Sequence, residues 1–533
     1  MSDFEHSLFQ KLNSYAQSDF YPFHMPGHKR NVLLSSDPFE GNSNISALSG
    51  FLSPESIDIT EITGFDDLHH PEGILKEAQE RMADVFGAHK SFFLVNGSTA
   101  GILAAICACT KKGGRILMAR NCHKSVYHAA LLQELSIDYL YPDVTEHGIA
   151  GSISPDEVVR KISDAQISES LTDNSSNGAM TYQNENEPSH YQAIVITSPT
   201  YDGIVSDIAA IAEIAHAHHI PLIVDEAHGA HFGFSDAFPK KALAYGADIV
   251  IESLHKTLPA FTQSAALHIM DSPYVDEAKI KQYLSIFQTS SPSYVLMAGL
   301  DQCTQFLQAG SSELFSAFEK KLAAFYEKTA SLKNICVLFA TEHLQVLTDT
   351  YNTDKHLQHL AEICKSDRAT IYQKDPSKIL ISADNIGMTG GELFAVLRDN
   401  YHLELEMASL HYVTALTSIM DTQEGFDRLI AALEELDQID SYSANNTDGT
   451  VVGSNAHVKI ISGQKSPIKL HEAVDLRSES IPLSSTVGSV CADFIIPYPP
   501  GIPLLVPGEQ ITDEHIGQIS RNLENGITVY GIG

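Results

Sequence analysis

A lysine and an aspartate stand just past two neighbouring apolar runs. Ala247 to Ile251 is strand-like and leads into Glu252-Ser253-Leu254-His255-Lys256-Thr257; an earlier run ends in Val224-Asp225-Glu226-Ala227-His228. This pair suits an enzyme that uses pyridoxal phosphate. Lys256 would hold the cofactor aldehyde as a Schiff base, and Asp225 would keep the pyridine nitrogen protonated. A carboxylate within ~4–6 Å of a ring nitrogen favours the protonated form by about one to three pKa units. A protonated ring is the stronger electron sink. A lone lysine at a strand end is far more often a solvated surface residue, so the other strand ends have to carry part of the argument.

They do so as a set. Asn96-Gly97-Ser98-Thr99 follows the run Ser91 to Val95 and opens a helix. Small residues let the backbone approach an anion, and a helix N-terminus offers free N–H groups. Gly97, Ser98 and Thr99 are therefore candidates for holding a phosphate, although the same turn also reads as an ordinary strand-to-helix junction with a serine cap. Asn121-Cys122-His123-Lys124-Ser125 follows Ala119. His123 could stack on a flat ligand and exchange protons with it, or simply cap a helix. Ser198-Pro199-Thr200-Tyr201-Asp202-Gly203 could line the same crevice. His228 could support Asp225, contact the ring or be a satisfied polar neighbour. Ser253 and His255 flank Lys256 on the phosphate side.

The elements that must position these residues alternate regularly. Gly73 to Phe86, Ser98 to Thr110 and His123 to Leu135 have helical patterns. Ser91 to Val95, Arg115 to Ala119, Ala193 to Thr197, Pro221 to Val224 and Ala247 to Ile251 read as strands, and Ser206 as the cap of a helix through Ala215. Such alternation predicts an α/β fold with a mainly parallel sheet covered on both faces, and ligands then collect at the carboxyl ends of the strands. Four regions follow. Residues 1–60 form an N-terminal arm, 61–310 the large cofactor-binding domain, 311–440 a smaller α/β domain, and 457–533 a C-terminal α+β unit. Residues 164–190 read as a polar surface insertion and 441–456 as a linker.

Composition bounds the partners. Lys+Arg 34 against Asp+Glu 67 gives a net charge of −33 over 533 residues, which repels nucleic acid and anionic membranes. The seven cysteines show no paired framework, so free thiols in a reducing cytoplasm are expected. No apolar run is long enough to span a bilayer. Asp225-Glu226-Ala227-His228 also spells the acidic box of a helicase, but that chemistry needs a G-x-x-x-x-G-K-[ST] loop, and the chain contains no Gly-Lys pair. His228/His231, His24/His28 and His216, His218 and His219 lack zinc-site spacing, so no metal is expected.

With these residues in view, the chain resembles the bacterial-type ornithine/lysine/arginine decarboxylases, which have the aspartate aminotransferase-like fold (fold type I). The likeness is carried by Phe23-His24-Met25-Pro26-Gly27-His28-Lys29, by Thr60 to Leu68 and by Ser253-Leu254-His255-Lys256-Thr257. Thr289 to Tyr294, Tyr498-Pro499-Pro500-Gly501-Ile502-Pro503 and Pro507-Gly508-Glu509 complete it. The resemblance implies Lys256 as the cofactor-bearing lysine, Asp225 as partner of the ring nitrogen and His123 as the histidine stacked on the ring. It implies phosphate contacts from Ser98, Thr99, Ser253 and His255. Thr289 matches a residue offered to the phosphate from a neighbouring subunit, which makes a homodimer with a shared site the expectation. Glu509 looks placed to meet the distal cation of the substrate. The motif begins at Phe23, without room for the N-terminal wing of enteric members, so a dimer or tetramer is expected rather than a decamer. The implied reaction is α-decarboxylation of a basic L-amino acid to the amine and carbon dioxide, arginine slightly ahead of lysine and ornithine, with Lys256 or His123 returning the proton. A transaminase or lyase on the same fold, with Arg398 offered to a substrate carboxylate, and a silent regulatory homologue are the alternatives.

Overall fold

The computed structural model describes residues 17–29, 54–173, 191–340, 343, 346–347, 371–440, 457–461 and 467–533. A short strand β1 (Tyr21–Phe23) precedes helix α1 (Ile74–Phe86), strand β2 (Lys90–Leu94) and helix α2 (Gly97–Cys109). The alternation continues through β3 (Arg115–Ala119), α3 (Lys124–Leu132), β4 (Ser136–Leu140), α4 (Pro155–Asp173), β5 (Ile194–Thr197), α5 (Ile208–Ala217), β6 (Leu222–Asp225), β7 (Ile249–Glu252) and β8 (Ala265–Ile269).

Seven of these strands form one sheet in the order β2-β8-β7-β6-β5-β3-β4. All neighbours are parallel except β8, which runs antiparallel between β2 and β7. Every residue of the central strands β6 and β7 is buried, as are Ile194, Val195 and Ile196 of β5. That explains their continuous apolar runs: a parallel strand covered on both faces has no solvent side to make polar. Each large aliphatic side chain removed from water there contributes about 1.5–3 kcal/mol.

Two strands of the sheet lie outside the sequence reading. β4 is an edge strand of mixed polarity, Ser136-Ile137-Asp138-Tyr139-Leu140, and follows directly on the segment His123 to Leu135 that reads as helical. β8, Ala-Ala-Leu-His-Ile, is fully buried and antiparallel, which a strict βαβ alternation does not foresee. The cap of α5 also differs. Asp207, not Ser206, is the N-cap, its carboxylate accepting from the N–H of Ala210 at 3.1 Å. Ser206 instead accepts from the N–H of Ile153 at 2.9 Å, tying two loops together. The proposed insertion at 164–190 begins inside α4, which runs to Asp173 with Ile162 and Ala165 buried; residues 174–190, like 441–456, lie outside the described residues.

Helix α6 (Tyr294–Thr329) leads away from the large sheet and is interrupted at Gly310. Beyond it a four-stranded antiparallel sheet has the order β9-β10-β13-β12, from β9 (Cys336–Val337), β10 (Lys378–Ser382), β11 (Leu403–Leu405), β12 (Met407–Ala408) and β13 (Val413–Leu416), with β11 left to pair elsewhere. The amphipathic helix Gln423–Leu436 buries Phe426, Leu429, Ile430 and Leu433. The C-terminal residues build small antiparallel sheets around their own cluster of Leu483, Cys491, Ile495, Leu505, Ile511 and Ile519.

The N-terminal arm is not merely polar covering. β1 pairs in parallel with β11, and Phe23 is completely buried. Gly27 then lies flat on the turn that carries Lys256: its N–H donates to the carbonyl of His255 at 2.7 Å, and a Cβ there would meet Leu258 O at 2.8 Å. Only glycine permits that approach. The Gly27 carbonyl in turn accepts from Ser418 Oγ at 2.6 Å, and Lys29 is buried against Asp421. The arm thus straps the lysine turn to the small sheet. Among the described residues no helix is long and apolar enough to cross a membrane, and no group of side chains could hold a metal ion. The described cysteines are all free.

Candidate active site

At the carboxyl ends of β2, β3, β5, β6 and β7 the sheet opens into a cavity of about 300 Å³. Gly97, Ser98 and Thr99 enter it from the first turn of α2, His123 and Asn121 from the turn after β3, Asp225 and His228 from the end of β6, and His255 and Lys256 from the short helix after β7. Gly97 has φ +75°, a left-handed conformation that lets the chain reverse from strand into helix. Registered pairing sets the rest. Thr197 lies opposite Asp225, and Asp225 opposite Ile251, so the ends of β5, β6 and β7 are level.

Asp225 is 3 % exposed and accepts from the N–H of Ala227 at 3.2 Å. Burial pushes its pKa up, against the pull of Lys256 and that N–H. Burial likewise pushes Lys256 down, opposed by Asp225 and Glu406. Lys256 Nζ lies 2.9 Å from His228 Nε2, and Lys378 Nζ lies 3.2 Å from His228 Nδ1. Burial, then the two lysines, hold His228 well below its ordinary value, so the ring is neutral. Tyr201 packs on that ring, with centroids 4.7 Å apart, and its hydroxyl donates to Glu406. His123 caps α3: its Nδ1 takes up Ser125 Oγ at 2.8 Å and the Ser125 N–H at 3.3 Å. Burial and then Lys256 bring its pKa down to about 3. His255 is lowered to about 4 by burial, with its Nδ1 2.8 Å from the carbonyl of Ser264.

Four candidates stand apart from this cavity. Ser253 is completely buried beneath it, its hydroxyl without a hydrogen-bond partner. Thr289 is exposed, its N–H donating to Asn96 Oδ1 at 3.3 Å beside the start of α2. Glu509 pairs with Arg120 at 3.1 Å and accepts from the N–H of Val506 at 3.0 Å, and it does not line the cavity. Arg398 is bonded to Asp399 and faces a second, outer cavity.

Several lining residues have no site role in the sequence, although Met25 and Tyr498 to Ile502 lie in the motifs that carry the family resemblance. Tyr498, Pro499, Pro500 and Ile502 close one side of the cavity, and Gly501 sits where a Cβ would be 3.4 Å from His123 Nε2. Met25 and Glu406 lie where the inner cavity meets an outer one of about 800 Å³. Glu406 Oε2 accepts from the N–H of Met25 at 2.8 Å. Lys378, at the start of β10, is entirely buried behind His228. Nothing local in the sequence marks Glu406 or Lys378, because the small sheet brings them to the site from far along the chain.

Residues 6–424 match the Orn/Lys/Arg decarboxylase major domain, and residues 463–524 match its C-terminal domain. The chain belongs to the Orn/Lys/Arg decarboxylase family. A relative from Bacillus anthracis named arginine decarboxylase is 30% identical over 538 residues, covering 100% of this chain and 96% of that protein. Among solved structures, the constitutive lysine decarboxylase of E. coli superposes with a TM-score of 0.68 at 20% identity, over 98% of this chain and 79% of that one. The alanine–glyoxylate aminotransferase of Nostoc sp. gives 0.50 at 12% identity, over 79% of this chain and 96% of that one, which places the decarboxylase within the aminotransferase-like fold. The chain is an amino acid decarboxylase, and the cavity brings together an amine, a buried carboxylate and the N-terminal turn of a helix.

Proposed function

We propose that this decarboxylase uses pyridoxal phosphate to remove the α-carboxylate of a basic L-amino acid, with arginine ahead of lysine and ornithine. The observation that carries the reading is the meeting of Lys256, Asp225 and the first turn of α2 in one cavity. The residues present suit the cofactor. Asp225 is a buried carboxyl whose charged form needs a cation, which a protonated ring nitrogen supplies. Asn121 Oδ1 is buried at the cavity without a hydrogen-bond partner. The free N–H groups of α2, with Ser98, Thr99 and His255, suit a phosphate. Ser253 is buried beside them, and we keep it as a positioning neighbour rather than a direct contact.

When bound, the cofactor supplies an electron sink for the pair released from the bond to the carboxylate. The chain's own residues do the remainder. Lys256 would anchor the aldehyde, Asp225 would hold the ring proton, and His123 would stack on the ring. At neutral pH His123 carries no second proton to give, so Lys256 Nζ, once it has taken the proton of the incoming substrate ammonium, is the acid that returns one to the α-carbon. Glu406, where the two cavities join, is the carboxylate proposed to meet the distal cation, since Glu509 does not line the inner cavity. No arginine lines the inner cavity among the described residues, which favours loss of a carboxylate over retention as in transamination.

The arginine preference rests on the full-length likeness to an arginine decarboxylase. We further propose a cytoplasmic homodimer in which Thr289 serves the neighbouring site, and a division into arm 1–60, large domain 61–310, small domain 311–440 and C-terminal domain 457–533. The test is amine and carbon dioxide release from purified protein loaded with pyridoxal phosphate, given arginine, lysine and ornithine separately. Release from one substrate, lost in Lys256→Ala, is expected. Release from none of the three would overturn the basic-substrate reading.

A further inference from the structure

We propose that Lys378 is a positioning residue that fixes the tautomer of His228 and thereby keeps Lys256 as the neutral amine able to capture the cofactor aldehyde. A lysine ammonium has three donors and no acceptor, and a neutral imidazole has one nitrogen of each kind. Lys378 Nζ lies 3.2 Å from His228 Nδ1, so with Lys378 as the ammonium that nitrogen accepts. The ring proton is then on Nε2, aimed at Lys256 Nζ 2.9 Å away, and Lys256 can only receive it with a lone pair. An ammonium at Lys256 would set two donors against each other.

The surroundings hold this arrangement in place. Lys378 is entirely buried, and Tyr201 packs against His228 and fixes the ring's orientation. The groups facing Lys378 are Asp375 and Glu406, which attract it, Lys29 and Lys256 when charged, which repel it, and His228 itself; Asp202 also feels its charge. Burial lowers Lys378 to about 8, so it remains a cation at neutral pH. Lys256 faces Asp225 and Glu406, which favour its charge. A fixed cation one imidazole away tips this balance toward the free amine. In capture the Lys256 nitrogen bonds to the aldehyde carbon, the carbonyl oxygen leaves as water with both amine protons, and no redox partner is needed. Only this last step rests on the pyridoxal phosphate reading.

The test uses the full-length chain with ¹⁵N-labelled histidine, stripped of cofactor, and assigns His228 by its loss in His228→Gln. Wild type should show Nε2 protonated and Nδ1 bare. Lys378→Met should populate the Nδ1–H form, and Lys378→Arg should keep the wild-type pattern. A wild-type ring protonated on Nδ1 overturns the proposal without any variant, as does an unchanged tautomer in folded Lys378→Met. A second readout is the rate at which added pyridoxal phosphate joins Lys256, followed by visible absorbance against pH. The midpoint in Lys378→Met should rise by about one unit, making capture at pH 7 about tenfold slower. A purely structural role would lower the melting temperature and leave that midpoint in place. Should wild type bind no pyridoxal phosphate, the cofactor reading fails while the ring-nitrogen spectrum still decides the role of Lys378.

Discussion

Two buried polar clusters grow from the same two strand ends. Asp225 and Lys256 face the cavity, while Glu226 and Glu252, their near neighbours in sequence, turn the other way. There Glu252 meets Lys241 at 3.6 Å and His268 at 3.7 Å, Glu226 accepts from the N–H of Ala242 at 3.0 Å, and Lys241 sits over Phe86 and Phe234. This second cluster is sealed and nearly self-neutralising. Burial and the charge of Glu252 push Glu226 well up, so it keeps its proton. Burial opposes ionisation of Glu252 too, but Lys241 and His268 outweigh it and bring it down. The open cluster has no such closure: Asp225 has a backbone N–H and the amines have a neutral imidazole between them. Burial of charge therefore does not by itself mark function. What separates the two is whether the charges find their complements inside the protein or await them from a ligand.

Four measurements can break or sharpen this contrast. Glu252→Gln should cost the most stability, about 3–5 kcal/mol, because it strands Lys241 in an apolar surround; urea unfolding reads the loss. Asp225→Asn should do the reverse, lowering kcat by about 10²–10³-fold, or about 2.7–4 kcal/mol, while leaving the urea midpoint unchanged or higher. If Asp225→Asn unfolded the chain and Glu252→Gln stopped catalysis, the assignment of roles would be inverted. Glu406→Gln should reduce kcat/KM for basic substrates by about 1.5–3 kcal/mol, the worth of a hydrogen bond to a charge. Glu509→Gln should change that ratio less, and a larger effect there would return the distal cation to Glu509.

The smallest effects are slopes of stability against pH, and they have opposite signs. Glu226 has a folded pKa above its unfolded one, so its contribution is complete below pH ~4.3 and is lost as pH rises through the folded value. His228 has a folded pKa below its unfolded one, so its contribution is complete well above pH ~6.5 and is lost as pH falls through that value. Glu226→Gln should flatten the alkaline side of the profile and His228→Gln the acid side. Matching slopes in both variants would mean that the clusters are electrostatically one.

How much of this was legible in the sequence depends on where each residue sits. The central strands were readable because burial on both faces forces unbroken apolar runs, and the polar residues immediately after them had to lie at one edge. Gly97, Ser98, Thr99, His123, Asp225, His228, His255 and Lys256 came together for that reason. β4 and β8 were not readable: one is an edge strand with a polar side, the other an antiparallel strand in a parallel setting. Lys378 opens the apolar run Ile379-Leu380-Ile381 and looks like an ordinary solvated strand start, whereas tertiary packing buries it completely. Glu406 and Glu509 are single acidic residues in a chain rich in them, and only folding decides which one reaches the cavity.

The strap at Gly27 has a consequence for synthesis. Its carbonyl is held by Ser418, a bond that spans 391 residues of chain. At about 5–20 residues per second, a ribosome needs roughly 20–80 s to supply that partner after Gly27 has been made. The first-made segment is thus among the last to settle, and until it does, the turn bearing Lys256 stays uncovered on that side. A nascent chain of this protein passes through an interval in which its large sheet is complete and its reactive lysine is still unsheltered.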